Sequence, residues 1–199
     1  MSSTGISSTA LCDTEAASAW VQRWSHLVPA GQTVLDVACG QGRHLRWFSG
    51  RGHPVVGIDR SSQALAAVGL PADRCQSVLA DIESGPWPLP GQRFAAVVVT
   101  HYLWRDLLPT LVASVAPGGV LIYETFAIGQ ASVGKPSRPD FLLRPGELLE
   151  ACADLRVVAY EDGHECDPLG RPTRFLQRIA ALRPLDAADP APLLGPSPG

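Results

Sequence analysis

The 199-residue chain has no block of lysine and arginine, no C-x-x-C pair, and no apolar run longer than Phe94 to Val99. A bilayer-spanning helix takes roughly 20 apolar residues, so no transmembrane segment is expected. Without a basic block, and with a net charge of −3, neither nucleic acid nor an acidic membrane surface is expected as a partner. The five cysteines (Cys12, Cys39, Cys75, Cys152 and Cys166) are odd in number and widely spaced. That excludes a regular disulfide frame and fits reduced thiols in a cytoplasm. His164-Glu165-Cys166 groups three ligand types, but no fourth partner stands at a recognisable spacing, so no metal site is expected. The opening stretch, MSSTGISSTALCDTEAASAW, lacks a basic region followed by an apolar core and does not read as a secretory signal. Internal repeats are also absent.

What remains is an ordinary globular composition, 46% hydrophobic and 18% charged. Residues 1–12 are rich in Ser and Thr and are expected to be loose. Residues 185–199, LDAADPAPLLGPSPG, read as a disordered Pro/Ala-rich tail. The domain is expected over 13–184. Ala17, Trp20, Val21, Trp24, Leu27 and Val28 fall on one helical face. Strands are predicted at 33–38, 53–59, 77–80, 94–100, 120–126, 155–161 and 173–182. Helices are predicted at 43–50, 61–68, 104–115 and 145–152, with Pro117-Gly118-Gly119 breaking the third of these before its strand begins. Strand-helix alternation with nearly continuous apolar strands implies an α/β sandwich around a mostly parallel sheet.

"VLDVACGQGRHL", residues 34–45, places an acid inside a strand and two glycines just after it. Gly40 and Gly42 could simply make a tight strand-to-helix connection. They could also let a ligand touch the backbone beyond the carboxyl end of the strand, where such sheets bind ligands. A side chain at Gly42 would on that reading occupy ligand space. The helix start behind the turn offers free N–H groups. Asp59, ending the next strand, is placed to accept from ribose hydroxyls. Dinucleotide binding would want G-x-G-x-x-G, but Leu45 stands at the third glycine position. Asp36 has a natural role if the ligand carries an ammonium, as S-adenosylmethionine does.

Over roughly residues 15 to 182 the chain resembles class I S-adenosylmethionine-dependent methyltransferases. "VLDVACGQGRH", "VVGIDRS", "VLADIE", "FAAVVVTHYL" and "LVASVAPGGVLIYETF" look like their successive motifs, in order. The "CGQGRH" form and the short length look nearest to small bacterial methyltransferases of the tellurite-resistance type. Ala95 departs from the aspartate often found in the fourth motif, and is expected to matter for packing. The resemblance implies a Rossmann-like three-layer sandwich with a seven-stranded sheet, mostly parallel, its last strand reversed. It implies S-adenosylmethionine as cofactor, contacted by Asp36, Ala38, Gly40, Gly42, Arg43, Asp59, Arg60, Asp81, Ile82 and Thr100. Asp81 would meet the adenine amino group and Ile82 the ring.

The acceptor side is read from three stretches. Thr100-His101-Tyr102-Leu103 is not the Asn-Pro-Pro-Tyr type that methylates exocyclic amines. His101 is a candidate base or acceptor contact, against a packing or capping role, and Tyr102 a candidate wall. Trp20 and Trp24 read as core, with a lid as the alternative. Trp87 reads equally as an adenine neighbour or as loop packing. Glu124 ends an apolar strand, so it needs a partner: an arginine in the bland reading, the substrate in the sharper one. Lys135, Arg138 and Arg144 crowd a long Gly/Pro-dotted segment and are candidates for holding an anionic acceptor, against a solvated loop. The expectation is a cytoplasmic methyltransferase for a small molecule, anionic or thiol. The alternatives are a non-catalytic protein that binds cofactor or a partner, and a protein or RNA methyltransferase.

Overall fold

The computed structural model describes residues 16–185. The expected loose start lies outside them, and so does the expected tail except for Leu185. Seven strands form one sheet in the order β3-β2-β1-β4-β5-β7-β6. In chain order they are β1 (Val34–Val37), β2 (Val55–Asp59), β3 (Cys75–Leu79), β4 (Phe94–Thr100), β5 (Val115–Phe126), β6 (Arg156–Cys166) and β7 (Pro172–Leu182). β7 runs antiparallel to both its neighbours, and the pairs among β1 to β5 are parallel. The helices are α1 (Ala19–Trp24), α2 (Arg43–Ser49), α3 (Ser62–Ala66), α4 (Leu108–Ala113) and α5 (Glu147–Ala151). No helix among the described residues is long and apolar enough to cross a membrane.

The central strands show no alternation in sequence because both of their faces are covered. Alternate residues nevertheless go to opposite sides. Leu35, Val37, Val97, Val99, Leu121 and Tyr123 join one core, with Leu111 of α4 and Leu148 of α5. Val34, Val55, Ala96, Val98 and Ile122 join the other, with Trp20 of α1 and Leu45 and Phe48 of α2. Asp36 shares strand parity with Val34, so it lies on the α1/α2 side. That placement decides its neighbours.

Local signals set the boundaries. The Ser61 hydroxyl accepts from the Ala64 amide at 3.1 Å and caps α3. The Ser18 hydroxyl caps α1 in the same way, accepting from the Trp20 amide at 3.1 Å. Trp20 and Trp24 are both buried, and the Trp20 indole donates to the Ile179 carbonyl at 3.2 Å. They belong to the core and form no lid. Trp87 donates to the Leu89 carbonyl at 3.0 Å, which ties down its own loop.

Two segments differ from the sequence reading. Pro117-Gly118-Gly119 does not precede β5 but lies inside it. Val115 pairs with Phe94, then the register shifts so that Val120 pairs with Ala96. A Cβ at Gly119 would sit 2.9 Å from the carbonyl oxygens of Phe94, Ala95 and Ala116, so only glycine allows this approach. The helix before it also ends earlier, at Ala113, after a 3-10 turn at Arg105–Leu107. The β6–β7 hairpin is the second difference, since β6 runs on to Cys166 and β7 begins at Pro172. This extension carries cross-strand pairs such as Glu161 opposite Arg178 and Glu165 opposite Arg174. Mostly exposed charged residues give no hydrophobic period to read.

Candidate functional site

β1 lies between β2 and β4, and the chain's connections turn in opposite directions from it. Open α/β sheets bind ligands at such a reversal, beyond the carboxyl ends of the strands. Ala38 and His101 follow the two strands that flank it, β1 and β4. They are the non-glycine residues with positive φ among those described, both at 54°. A left-handed L-residue costs about 1–2 kcal/mol. Strain of this kind collects at functional sites, where the surroundings hold it in place.

Three cavities meet along this rim. A cavity of about 200 Å³ lies between Ala38, Asp59, Arg60, Asp81, Ile82 and Tyr102. A larger one, about 560 Å³, is lined by the glycine turn together with Arg43, His44, Thr100, His101 and Arg174. A third, about 270 Å³, is mostly apolar, with Glu83, His101, Tyr102, Phe126, Pro136 and Phe141 in its walls. Ala38 belongs to the first two, and His101 to the last two. The structure therefore brings together Ala38, Gly40, Arg43, Asp59, Arg60, Asp81, Ile82, Thr100, His101 and Tyr102, whereas Asp36 and Gly42 line none of these three cavities.

Asp59 is held from two sides. Its Oδ2 accepts from the Gly40 amide and its Oδ1 from the Ser61 amide, both at 2.8 Å. Each carboxylate oxygen retains lone-pair capacity for a further donor. Asp59 thus fixes the glycine turn as well as facing the cavity. Asp81 accepts from the Ser84 hydroxyl at 2.6 Å and the Glu83 amide at 3.0 Å. The Ser84 hydrogen bond, followed by the Glu83 amide, holds the Asp81 carboxyl below its usual range. Asp36 is buried, and its Oδ2 has no hydrogen-bond partner.

The two glycines divide the work differently from the sequence expectation. Both have positive φ, 54° at Gly40 and 77° at Gly42. A Cβ at Gly40 would meet no protein atom within 4 Å, whereas one at Gly42 would lie 2.9 Å from Val68 Cγ2 and 3.2 Å from Leu45 Cδ1. Gly40 is the residue whose missing side chain leaves open space beside the turn. Gly42 permits α2 to pack, and a side chain there would strike the core rather than a ligand. Gly57 shares that packing role unpredicted, since its Cβ would come 2.6 Å from Leu45.

Glu124 is not free for chemistry. Its Oε1 accepts from the Ser18 hydroxyl at 2.8 Å, and its Oε2 pairs with Arg178. Arg178 also binds Glu161 and Glu165. A buried acid on a strand end needed a cation, and the antiparallel neighbour opposite Glu124 supplied it. The Lys135, Arg138, Arg144 grouping is not built at the rim either. Arg138 pairs with Asp140 at 2.8 Å in solvent. Arg144 lies 3.5 Å from Glu147 and lines a separate cleft with Arg105. Lys135 is exposed, and of its neighbours only Pro136 reaches a rim cavity.

In their place stands Arg174 of β7, which sequence reasoning missed. It lines the 560 Å³ cavity, while its guanidinium pairs with Glu165 at 2.7 Å. Nothing in the local sequence marks it, because it reaches the rim only through strand pairing from the far end of the chain. Arg43 completes the basic side, with Nη2 3.4 Å from the Thr100 hydroxyl. His101 is exposed to the cavity, and its ring stacks on Phe126 at 5.0 Å. Desolvation by the cavity walls, then the charge of Arg43, lowers its pKa below the ordinary histidine value, against the opposing pull of Glu124. Among the described residues, no group of three or more His, Cys, Asp or Glu is placed to hold a metal ion.

Residues 34–119 match the family model described as a methyltransferase domain. Over these residues in sequence, and in its fold, the chain is similar to S-adenosylmethionine-dependent methyltransferases. It is 34% identical over 152 residues to a trans-aconitate 2-methyltransferase of Delftia acidovorans, covering 68% of this chain and 56% of that protein. It is 33% identical over 132 residues to a tRNA U34 carboxymethyltransferase of Pseudoalteromonas translucida, covering 58% and 39% respectively. The chain thus spans about half the length of these curated relatives or less. In fold it is similar to the crystal structure of TehB from Haemophilus influenzae, with a TM-score of 0.63 at 21% identity over 82% of this chain and 61% of that one.

Proposed function

We propose that the protein transfers a methyl group from S-adenosylmethionine to a small-molecule acceptor in the cytoplasm. The observation that carries this reading is the cradle at the ends of β1 and β2. There Gly40 leaves open space, its amide is tied to Asp59, and a buried oxygen of Asp36 lacks a partner. The cofactor fits those donors and acceptors. Asp59 would take the ribose hydroxyls, and Asp81 and Ile82 the adenine. Arg60, Ala38 and Thr100 would line its path, and Asp36 would face the ammonium. Arg43 would balance the carboxylate, and Gly42 would hold α2 in place behind the turn.

Bound S-adenosylmethionine supplies an activated methyl on a sulfonium, already a good leaving group. The protein's task is then to hold an acceptor atom about 3 Å from that methyl, in line and shielded from water. The position of His101, bordering both larger cavities, supports it for this role. Kept neutral by its lowered pKa, its imidazole can orient an acceptor or take its proton. Tyr102 would form the wall between the adenosine cavity and the apolar one. Arg43 and Arg174 beside His101 support an anionic acceptor, with the apolar cavity taking its carbon body. A thiol acceptor would need less help from His101. The four described cysteines are free, which supports a reducing compartment. The absence of a basic block supports small molecules over nucleic acid as partners.

The deciding experiment is turnover. Full-length protein is incubated with S-adenosylmethionine and a panel of small acids, thiols and oxyanions, and release of S-adenosylhomocysteine is followed. Binding of S-adenosylhomocysteine without turnover on any acceptor would favour a non-catalytic cofactor-binding role. No binding at all would defeat the proposal.

A further inference from the structure

Arg43 and His44, the pair that opens α2, both line the 560 Å³ cavity, but the His44 residue is only 1% exposed. Its ring joins two elements distant in sequence. Nε2 lies 3.2 Å from the amide nitrogen of Ser18. A backbone N–H can only donate, so Nε2 accepts and carries no proton. The imidazole is then neutral, and its proton sits on Nδ1. Nδ1 faces Oδ2 of Asp36 at 3.6 Å, with both side chains 2% exposed. That separation is too long for a hydrogen bond, and Oδ2 has no other partner. A buried carboxylate oxygen in that state is costly unless a charge or donor completes it.

Resting on the cofactor reading above, we propose that His44 is the positioning residue of the ammonium subsite. Its Nδ1–H, directed at Oδ2 of Asp36 from 3.6 Å, steadies that oxygen by charge–dipole attraction rather than by a formed hydrogen bond and leaves the rest of the carboxylate to the cofactor's ammonium, and Ser18 fixes the tautomer that makes this possible. Ser18 is well placed for such control. Its amide sets His44, while its hydroxyl caps α1 and donates to Glu124. Docking of α1 against the sheet therefore sets which nitrogen of His44 is protonated. Asp36 and His44 meet because strand parity turns Asp36 toward α2.

Two measurements on the full chain test this. In nitrogen-15 NMR of the labelled protein, the His44 ring is expected as the neutral Nδ1–H tautomer. A neutral ring protonated on Nε2, or a cationic ring, overturns the proposal. Calorimetry then compares S-adenosylhomocysteine with 5′-methylthioadenosine, which keeps the nucleoside and lacks the amino-acid end. His44→Leu is expected to weaken the first about tenfold and leave the second unchanged. His44→Asn, whose amide can donate from near the Nδ1 position, should recover most of the loss. Native affinity in His44→Leu, or equal loss of both ligands, overturns the proposal. If the native protein binds neither ligand, the cofactor reading fails, and this one with it.

Discussion

The adenosine side of the rim and the acceptor side are built by opposite strategies. On the first, the groups that face the cavity come from the ends of β1, β2 and β3, with Tyr102 following β4. Their anchors are close by: Asp59 is tied to Gly40 and to Ser61, and Asp81 to Glu83 and Ser84. On the second, Arg43, His101 and Arg174 come from points spread over more than half of the chain. Arg174 is held by the ion-pair chain Glu124–Arg178–Glu165–Arg174 across β5, β7 and β6. A subsite made from consecutive strand ends tolerates local changes one at a time. One made from cross-strand charges fails as a group, because removing one partner strands the others.

The sharpest break in the comparison lies within the glycine turn. Gly42→Val should destabilise the fold by roughly 3 kcal/mol or more, through overpacking against Val68 and a β-branched residue at positive φ. Gly40→Val should cost less in stability, since no protein atom is within reach of its Cβ, yet abolish S-adenosylhomocysteine binding. Thermal melts with calorimetry on both variants check this; the reverse pattern would place the ligand on the other side of the turn. On the acceptor side, Arg178→Leu leaves three carboxylates without their shared cation, one of them buried. A loss of about 3 kcal/mol in denaturant unfolding is expected, with adenosine-end binding retained by the molecules that remain folded.

Asp59→Ala frees the Gly40 amide and, on the proposed reading, removes two ligand hydrogen bonds. Affinity for S-adenosylhomocysteine should fall about ten- to a hundredfold, or 1.5–3 kcal/mol. The dual role of Asp59 predicts a small drop in melting temperature even without ligand, which a residue serving the ribose alone would not show. For His101 the sign follows from its lowered pKa. Above the unfolded value near 6.5 both states are neutral and the contribution is full. As pH falls below that, the unfolded chain takes up the proton first, so stability declines towards the lower folded pKa. His101→Gln should flatten stability against pH in that window, as urea midpoints at a series of pH values would reveal. The smallest effect is expected at Arg138, whose pair with Asp140 is solvent-exposed. Arg138→Ala should change stability by no more than about 0.5 kcal/mol and leave cofactor binding intact.

The adenosine side was legible because its residues sit at fixed offsets from strand ends, and those ends are marked by apolar runs. β4 was read to the residue, since a seven-residue buried strand, Phe94–Thr100, has polar or turn-forming neighbours on both sides. The acceptor side was hidden for the converse reason. Lys135, Arg138 and Arg144 are close in sequence, but Arg138 pairs with Asp140 and Arg144 with Glu147 instead of converging. Arg174 and Arg178 lie in an exposed hairpin with little apolar period, so neither their strand nor their partners could be read from spacing.

Composition and apolar runs determined by themselves the α/β class and most strand positions, while the motifs, through their resemblance to a known family, implied the sheet with one reversed strand and the acids and glycines of the proposed cofactor rim. Each of these depends on contacts within a strand, a turn or the next connection. Which glycine leaves open space beside the turn was decided by tertiary structure, because the room for a missing Cβ depends on what packs beside it. So were the partner of Glu124, which stands opposite it only through antiparallel pairing, and the burial of His44 between Ser18 and Asp36. Charge neutralisation and tautomer choice are set by whichever group lies within a few ångströms, and the sheet brings those groups together from segments that sequence keeps apart.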